Sequence, residues 1–192
     1  MKISYIENYK KITQDFFKKQ HGVKNEMSVP KITKISINTG IGRMAAANEN
    51  TDNLIKDLSD KLARITGQKP RICKAKKSIA GFKLREGTPV GISVTLRGKK
   101  KEDFFDRFVN IVMPRTRDFW GVERKKFDKA GNLTLGVKEM NAFPELSFDI
   151  LKPNFGIEIN FVTNAKSKEK AIHLFETIGF PLKPATETPT KK

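Results

Sequence analysis

The sequence predicts an α+β fold in which helices cover one face of an antiparallel sheet. Apolar and polar residues alternate near residues 33–38, 90–97 and 157–161, which indicates strands with one apolar face. Between these strands lie segments with apolar residues at every third or fourth position, which is helical spacing. The connections around residues 71–97 are too short for parallel crossovers, so we expect antiparallel pairing. This arrangement is typical of ferredoxin-like and RNA-recognition folds.

Four helices are predicted from their apolar stripes. We expect the first to end near Gly22, the second at Gly67, the third at Pro114 and the fourth at Gly179, because glycine and proline terminate helices. Ser167 is the expected N-cap of the fourth. In chain order, the stripes consist of Ile3, Ile6, Tyr9, Ile12 and Phe16; Leu54, Leu58, Leu62 and Ile65; Phe104, Phe105, Phe108, Ile111 and Val112; and Ile172, Phe175 and Ile178.

The strands predict which side chains face the core and which face outward. Thr33, Ile35 and Ile37 are expected inside, with Lys34, Ser36 and Asn38 outside. Gly131 and Asn132 indicate a hairpin turn between residues 125–129 and the alternating segment 133–137. In the third strand the apolar face consists of Val90, Ile92, Val94 and Leu96, and the polar face of Gly91, Ser93, Thr95 and Arg97.

The most basic part of the chain is the stretch 67–101, which carries eleven cations and one acid, Glu86. Its helix breakers are Pro70, Gly81, Gly87 and Pro89. The stretch therefore predicts a long basic loop that leads into a strand. One interpretation is a solvated loop whose lysines favour solubility. The alternative is a surface that lies against phosphates.

The composition indicates a globular protein with an anionic partner. Hydrophobic residues make up 38% and charged residues 31% of the chain, which is typical of a globular protein. The 192 residues are enough for one domain with a substantial core, or for one domain plus appendages. The net charge of +17 favours a polyanion, because each neutralised phosphate releases condensed counterions. The sequence has no run of about 18 apolar residues, so we expect no membrane partner. Its single cysteine, Cys73, cannot form a disulfide framework. Without a secretion or transit pattern, we expect a cytoplasmic protein.

Motifs for cofactor or catalytic chemistry are poorly supported. Residues 40–45 match the dinucleotide fingerprint G-x-G-x-x-A, but the expected helix begins late and the next strand does not end in an acid. The two histidines, His21 and His173, have no partner at the spacing of a catalytic dyad, and we expect surface or packing roles. Asp57 and Asp60 are expected on the solvent side of their helix. We predict neither a cofactor nor a metal, and no enzymatic activity.

RNA binding is better supported than catalysis. Folded RNA offers a wide, shallow minor groove in which small and amide side chains can donate and accept at close range. Ser36, Asn38, Gln68, Ser93 and Thr95 are of this kind, and lysines flank them. The outer strand faces lack the paired aromatic residues of a sheet that stacks single-stranded bases. A folded RNA is therefore the expected partner, and no DNA partner is predicted.

Five segments of the chain are distinctive: ISINTGIG, ITGQKPRICKAKKSIAGFKLREGTPVGISVTLRG, FFDRFVNIVMPRTRDFWGV, GNLTLGVKE and FPEL. These segments closely resemble the bacterial-type large-subunit ribosomal protein L-five family, whose members bind 5S ribosomal RNA. They follow the family's order and spacing over residues 2–181. Thr39, Trp120 and the extension 184–192 depart from the family pattern. The resemblance implies one RNA-binding ribosomal domain, 1–181, followed by a disordered tail, 182–192.

The resemblance also implies three contact surfaces and a cytoplasmic location on the large ribosomal subunit. The expected partners are 5S ribosomal RNA, other large-subunit RNA and neighbouring ribosomal proteins, the P-site transfer RNA, and the small-subunit head protein S-thirteen. The mobile loop 74–91 would touch the transfer RNA, and segments 137–142 and 147–152 would form the bridge to the small subunit. For 5S ribosomal RNA the expected residues are Lys34, Ser36, Asn38, Gln68, Thr95 and Arg97; for transfer RNA, Lys74, Lys76, Lys77, Ser78 and Lys83; and for the bridge, Val137, Lys138, Glu139, Met140, Asn141, Asp149 and Lys152.

Without the resemblance, composition also allows other functions. A cytosolic RNA chaperone would show the same charge, and a base-modifying or phosphodiester-cleaving enzyme would need an acid or nucleophile that the sequence does not offer. A chaperone would bind many RNAs equally.

Overall fold

The computed structural model describes residues 12–22, 25–42, 44, 51–82, 84–117, 119–138, 140–146 and 155–184. Within these residues, four main helices are interspersed among five strands along the chain. They are α1 (Gln14–His21), β1 (Ile32–Gly40), α2 (Thr51–Thr66), β2 (Arg71–Lys74), β3 (Pro89–Leu96), α3 (Gly98–Arg107), β4 (Leu133–Val137), β5 (Ile157–Thr163) and α4 (Lys168–Thr177).

The five strands form one antiparallel sheet in the order β2-β3-β1-β5-β4. The central strand, β1, pairs antiparallel with β3 on one side and with β5 on the other. A dinucleotide site of the G-x-G-x-x-A type needs a parallel βαβ unit, and this pairing does not provide one beside β1. The predicted α+β fold with an antiparallel sheet is confirmed.

The core lies between the apolar face of this sheet and the helices. Ile37, Leu96 and Phe161 are completely buried on that face, α2 lies against β3, and α3 lies against β1. Phe161 is the centre of an aromatic cluster, with ring centroids 5.8–6.0 Å away on Phe105, Phe108, Phe175 and Phe180. Removing these rings from water stabilises the fold by about 25 cal/mol for each Å² buried.

The helix boundaries mostly follow the predicted signals. Gly22 and Gly67 follow α1 and α2 in the left-handed conformation, with φ of 60° and 65°, as the C-terminal glycine of a helix does. Ser167 caps α4 by accepting a hydrogen bond from the Lys170 amide at 3.4 Å. The first part of the stripe predicted for the first helix, residues 3–9, lies outside the described residues.

The prediction that Pro114 ends the third helix is wrong. The chain passes from α3 through a π-helical turn, Phe108–Val112, into a last helical turn, Met113–Arg115. In this wider turn the Met113 amide donates to the Phe108 carbonyl, five residues earlier. A proline lacks an amide hydrogen and its ring crowds the carbonyl four residues back, so the local widening lets Pro114 remain in the helix.

The prediction that Thr33 shares the apolar face of β1 is also wrong. A bulge between Ile32 and Lys34 turns Thr33 outward, where its hydroxyl donates to the Val162 carbonyl at 2.9 Å. The buried Lys101 ammonium donates to the Ile32 carbonyl at the same bulge, at 3.0 Å. Burial lowers the pKa of Lys101 below its ordinary value.

The predicted hairpin at Gly131 and Asn132 forms, but its first arm is short. Phe127 and Leu133 make a single antiparallel bridge, and the preceding residues, Arg124–Lys126, form a 3₁₀ turn. Gly131 has φ of 88°, and a Cβ there would lie 2.8 Å from the Ser167 carbonyl oxygen. Only glycine fits this position without displacing the start of α4.

The described C-terminal residues pack on the segment before this hairpin. Val122 forms a parallel bridge with Leu182, the Val122 amide donates to the Pro181 carbonyl, and the Lys183 amide donates to the Val122 carbonyl. The predicted tail 182–192 therefore begins with ordered residues, and residues 185–192 lie outside the described part of the chain. The division into one domain and a disordered tail stays a prediction.

Candidate nucleic-acid interface

The sheet face opposite the core is a polar surface, which we call the open face. It consists of Lys34, Ser36 and Asn38 of β1, Ser93 and Thr95 of β3, Arg71 of β2, Glu158 and Asn160 of β5, and Thr134 and Gly136 of β4. None of these ten residues is buried, whereas the residues that alternate with them in the three central strands are. Because side chains alternate across a strand, the pattern that fills the core also creates this face.

Strand register brings the open-face residues into two rows across the sheet. Asn38 lies opposite Ser93 on one side and Glu158 on the other. Ser36 lies opposite Thr95 and Asn160 in the same way. Directly paired residues have Cβ atoms about 5 Å apart, so the rows form a continuous band of hydroxyl, amide and carboxylate groups.

The side chains at the centre of this band are short, so they rise little above the backbone of the sheet. Gly91 also packs closely: a Cβ there would lie 3.1 Å from the Thr39 carbonyl oxygen. On the β4 side, the Thr134 hydroxyl donates to the Asn160 side-chain oxygen at 2.6 Å, which orients that amide. The result is a shallow polar platform that a broad ligand can approach.

All six residues predicted to contact 5S ribosomal RNA lie on or beside the open face. Lys34, Ser36, Asn38 and Thr95 belong to it and are half-buried. Gln68 is next to it, where its side-chain amide donates to the Thr95 carbonyl at 3.4 Å. Arg97 is exposed at the residue before α3. None of the six is covered by a described helix.

Cations are concentrated on the β2–β3 side of the open face. Arg71 and Arg97 are exposed there, whereas the exposed Lys69 and Lys74 line a cleft with α2, on the helix side of the sheet. The Lys100 ammonium, also exposed, donates to the Gly67 carbonyl at 2.9 Å. The β5 side instead carries the exposed Glu158. The face is thus asymmetric, with its positive potential on the side of β2 and β3.

The basic loop between β2 and β3 is a short hairpin, which we call the basic arm (residues 75–88). Ala75 and Thr88 pair at its base, since the Ala75 amide donates to the Thr88 carbonyl at 2.8 Å. Ile79 and Leu84 bridge nearer the tip. The Ser78 hydroxyl accepts from the Glu86 amide at 2.9 Å. These bonds give the arm an internal structure.

The residues predicted for the transfer-RNA contact lie along this arm. Lys76, Lys77 and Ser78 are exposed on it, and Lys74 is exposed just before it, at the end of β2. Lys83 lies outside the described residues. The arm lies beyond the last β2–β3 pair, Lys74 and Pro89, so it forms a surface separate from the paired strands of the open face.

The residues predicted for the small-subunit bridge are only partly accessible. Lys138 is exposed, but Val137 and Met140 are buried in the core. The alternation of Val137 with Leu133 and Leu135 was a signal for its burial. Of the remaining residues in that set, Glu139, Asp149 and Lys152 lie outside the described residues, as does the side chain of Asn141.

The histidine and cysteine side chains that catalysis or metal binding could use make packing contacts or hydrogen bonds within the protein. The His21 and His173 rings lie 5.5 Å apart and pack with Phe16 and Phe17, as a packing role predicts. The Cys73 sulfur is half-buried in β2, 3.4 Å from the Ser93 hydroxyl. The described residues contain no group of histidine, cysteine and acidic side chains that could hold a metal ion. Of the helices described, none is both long and apolar enough to cross a membrane.

The β4 and β5 residues of the open face were not predicted from the sequence. These are Thr134, Gly136, Glu158 and Asn160. Their signal was present, because they alternate with the apolar residues that predicted the strands. The alternation identified the buried residues of each strand, and the residues between them must therefore face outward.

Comparison with known proteins gives one consistent family. Residues 25–85 match the family described as "Ribosomal protein L5", and residues 89–182 match the model for the C-terminus of the same ribosomal family. The protein of Rubrobacter xylanophilus named "Large ribosomal subunit protein uL5" is 43% identical over 178 residues, 93% of this chain and 97% of the relative. A protein of the same name from Mesoplasma florum is 48% identical over 163 residues, 85% of this chain and 88% of the relative.

Proposed function

Because this chain belongs to the ribosomal protein L5 family, whose members are structural proteins of the cytoplasmic large ribosomal subunit and not enzymes, we propose that its open face binds 5S ribosomal RNA. The observation that carries the proposal is the band of small polar side chains in register across the sheet. The band is free of described helices and is bordered by cations. In this role the protein anchors 5S ribosomal RNA in the central protuberance.

The chemistry of the open face suits the minor groove of folded RNA. That groove is wide and shallow, and it displays 2′-hydroxyl groups that both donate and accept hydrogen bonds. Hydroxyls such as those of Ser36 and Thr95 and the amide of Asn38 can satisfy either role. The same contacts discriminate against DNA, which lacks the 2′-hydroxyl.

The asymmetric charge orients the RNA on this face. Phosphates are favoured on the β2–β3 side, near Arg71 and Arg97. Glu158 repels phosphates but accepts hydrogen bonds from sugar hydroxyls and from exocyclic amino groups. We therefore place the RNA backbone over β2 and β3 and a sugar or base edge over β5.

Removing single polar groups from the open face is expected to weaken RNA binding moderately. Asn38→Ala and Thr95→Ala should each cost about 1–3 kcal/mol in binding to 5S ribosomal RNA, because a buried partner on the RNA loses its hydrogen bond. A gel-shift titration of each variant at one fixed salt concentration measures this cost.

The matched control for these variants is Asn53→Ala, an exposed asparagine on α2. It should leave the affinity unchanged, and thermal unfolding should show that all three variants are folded. Unchanged affinity for both open-face variants would reject the proposal. Equal affinity of the wild-type chain for unrelated folded RNAs would favour a chaperone instead.

Two further contacts complete the proposed role on the ribosome. The basic arm contacts the elbow of the P-site transfer RNA, supported by its exposed cations and its position beyond the paired ends of β2 and β3. The exposed Lys138, at the end of β4, faces the S-thirteen protein of the small-subunit head. The buried Val137 and Met140 would support this bridge from within the core and not through direct contact.

Neutralising the basic arm is expected to separate the two RNA contacts. The double variant Lys76→Gln, Lys77→Gln should keep its affinity for 5S ribosomal RNA, because both side chains are exposed on the arm, beyond the last paired residue of β2. Binding of transfer RNA to ribosomes that carry the variant should weaken, with a smaller dependence on salt. Filter binding of P-site transfer RNA to reconstituted ribosomes measures this loss of affinity. The double variant Lys18→Gln, Lys19→Gln on α1 is the charge-matched control and should bind transfer RNA normally. Loss of 5S ribosomal RNA binding in the arm variant would contradict the assignment.

A further inference from the structure

The only tryptophan of the chain, Trp120, lies on the surface beside a cleft. Its side chain is 82% exposed, and the cleft has a volume of about 260 Å³. Apolar residues of the cleft wall include Met113 and Leu135, and its cations are Arg117, Lys126 and Lys183. Most of the 14 phenylalanines are buried in the core, whereas this large aromatic ring is exposed to water beside cations. Such an exposed apolar surface indicates a binding site.

The backbone that carries Trp120 is held firmly. Its neighbour Gly121 has φ of 90°, and a Cβ there would lie 3.1 Å from the Lys183 amide nitrogen. The Val122 amide donates to the Pro181 carbonyl at 2.9 Å, and the Val122 carbonyl accepts from the Lys183 amide at 2.9 Å. The exposed ring therefore projects from an ordered backbone, which lowers the entropic cost of stacking a ligand on it.

The charges around the ring favour a nucleotide. No carboxylate lines the described part of the cleft. Arg117 and Lys126 are exposed, and Lys183 lies 3.1 Å from Glu123, which balances one of the three cations. Asp118, next to Arg117 in sequence, lies outside the described residues. Cations beside an aromatic face match the phosphate and the base of one nucleotide.

We propose that Trp120 is a stacking platform for one unpaired base of an RNA bound to this protein. The proposal rests on RNA being the partner, as proposed above, and adds a contact outside the open face. Gly136 links the two surfaces, because it belongs to the open face and also borders the Trp120 cleft across the edge strand β4. A folded RNA on the sheet can thus extend one base from a loop or bulge around that edge.

The base stacks on the indole ring, and the phosphates on either side of its nucleotide lie near Arg117 and Lys126. Stacking tolerates any base, because every base has a π-face. A protein segment is the competing occupant, since tryptophan is also common at protein interfaces. The three cations in the cleft wall and the net charge of +17 favour the nucleic acid.

The single tryptophan makes a direct fluorescence test possible in the full-length chain. Titration with single-stranded octa-adenylate is expected to quench the fluorescence of Trp120, because a stacked base contacts the ring. An octamer of the same charge with abasic sugars should bind through its phosphates and leave the fluorescence nearly unchanged. Equal quenching by the two octamers, or no quenching by octa-adenylate, would overturn the proposal.

Variants test the energetic contribution of the ring. Trp120→Leu should weaken binding of fluorescein-labelled octa-adenylate about fivefold or more, and Trp120→Phe should retain most of the affinity. The matched control is Met27→Leu, at an equally exposed apolar residue (83%) away from the cleft, which should change nothing. The melting temperature should be the same in all three. Unchanged affinity of Trp120→Leu overturns the proposal.

The failure of this proposal can be told apart from failure of the proposed function. Asn38→Ala and Thr95→Ala should leave quenching by octa-adenylate intact while they weaken binding of 5S ribosomal RNA. If quenching persists but these variants bind 5S ribosomal RNA normally, the open-face assignment fails and the stacking site stands. If they weaken 5S ribosomal RNA binding and quenching is absent, only the stacking site fails.

Discussion

Substituting Ser36 by glutamate is expected to weaken binding of 5S ribosomal RNA by about two orders of magnitude. Ser36 occupies the middle strand of the open face, with Thr95 and Asn160 as its cross-strand neighbours. A carboxylate there would meet the RNA at short range, and a like-charge pair at an interface costs several kcal/mol. About 3 kcal/mol corresponds to a factor of roughly 100 in Kd.

The design separates local repulsion from the loss of one net charge. Asn53→Glu on α2 changes the net charge by the same amount, at an exposed residue on the helical side of the molecule. It should weaken RNA binding severalfold at most, because it lowers only the overall positive potential of the protein. Both variants should unfold at the temperature of the wild type, because residue 36 faces away from the core. Similar losses for the two variants would show that only net charge matters and that the open face is not the interface.

The strands could be predicted from the sequence because one physical rule sets both of their faces. Ile35 and Ile37 are buried as their alternation requires, and Ser36 and Asn38 are therefore on the other side. Two helix ends were also predictable from local sequence, because Gly22 and Gly67 adopt the left-handed conformation that other residues avoid.

Features that depend on contacts between distant segments could not be predicted. The bulge that turns Thr33 outward is stabilised by Lys101, nearly seventy residues later in the chain. The order of the strands follows from packing, and no local pattern encodes that β5 lies between β1 and β4. The continuation of the third helix past Pro114 requires a π turn, which has no reliable sequence signal.

The candidate site was predictable in its centre and less so at its margins. Asn38 and Thr95 share a face because of alternation within β1 and β3, which is local information. Alternation also puts Glu158 on the outer face of β5, but its position beside Asn38 depends on the register in which β5 pairs with β1. The asymmetry of charge, which orients the proposed RNA, is therefore a property of the fold and not of any one segment.

Substituting Phe161 by alanine is expected to have the largest effect on the free energy of unfolding. Phe161 is completely buried in the centre of β5, and four phenylalanine rings from α3, its π-helical continuation, α4 and the segment after it surround it. The change removes a large apolar surface and leaves a cavity that these four rings cannot fill by small shifts. Such substitutions cost about 3–5 kcal/mol.

This cost is a large share of the stability of a domain, which is about 5–15 kcal/mol in total. Urea unfolding followed by far-ultraviolet circular dichroism measures it. The matched control is Phe82→Ala on the basic arm, where the ring is 78% exposed and the change should stay within about 0.5 kcal/mol. If Phe161→Ala were no more damaging than the control, the aromatic cluster would not hold the helices on the sheet. The open face, which is the other side of the same sheet, would then lack the rigid support that an RNA-binding surface needs.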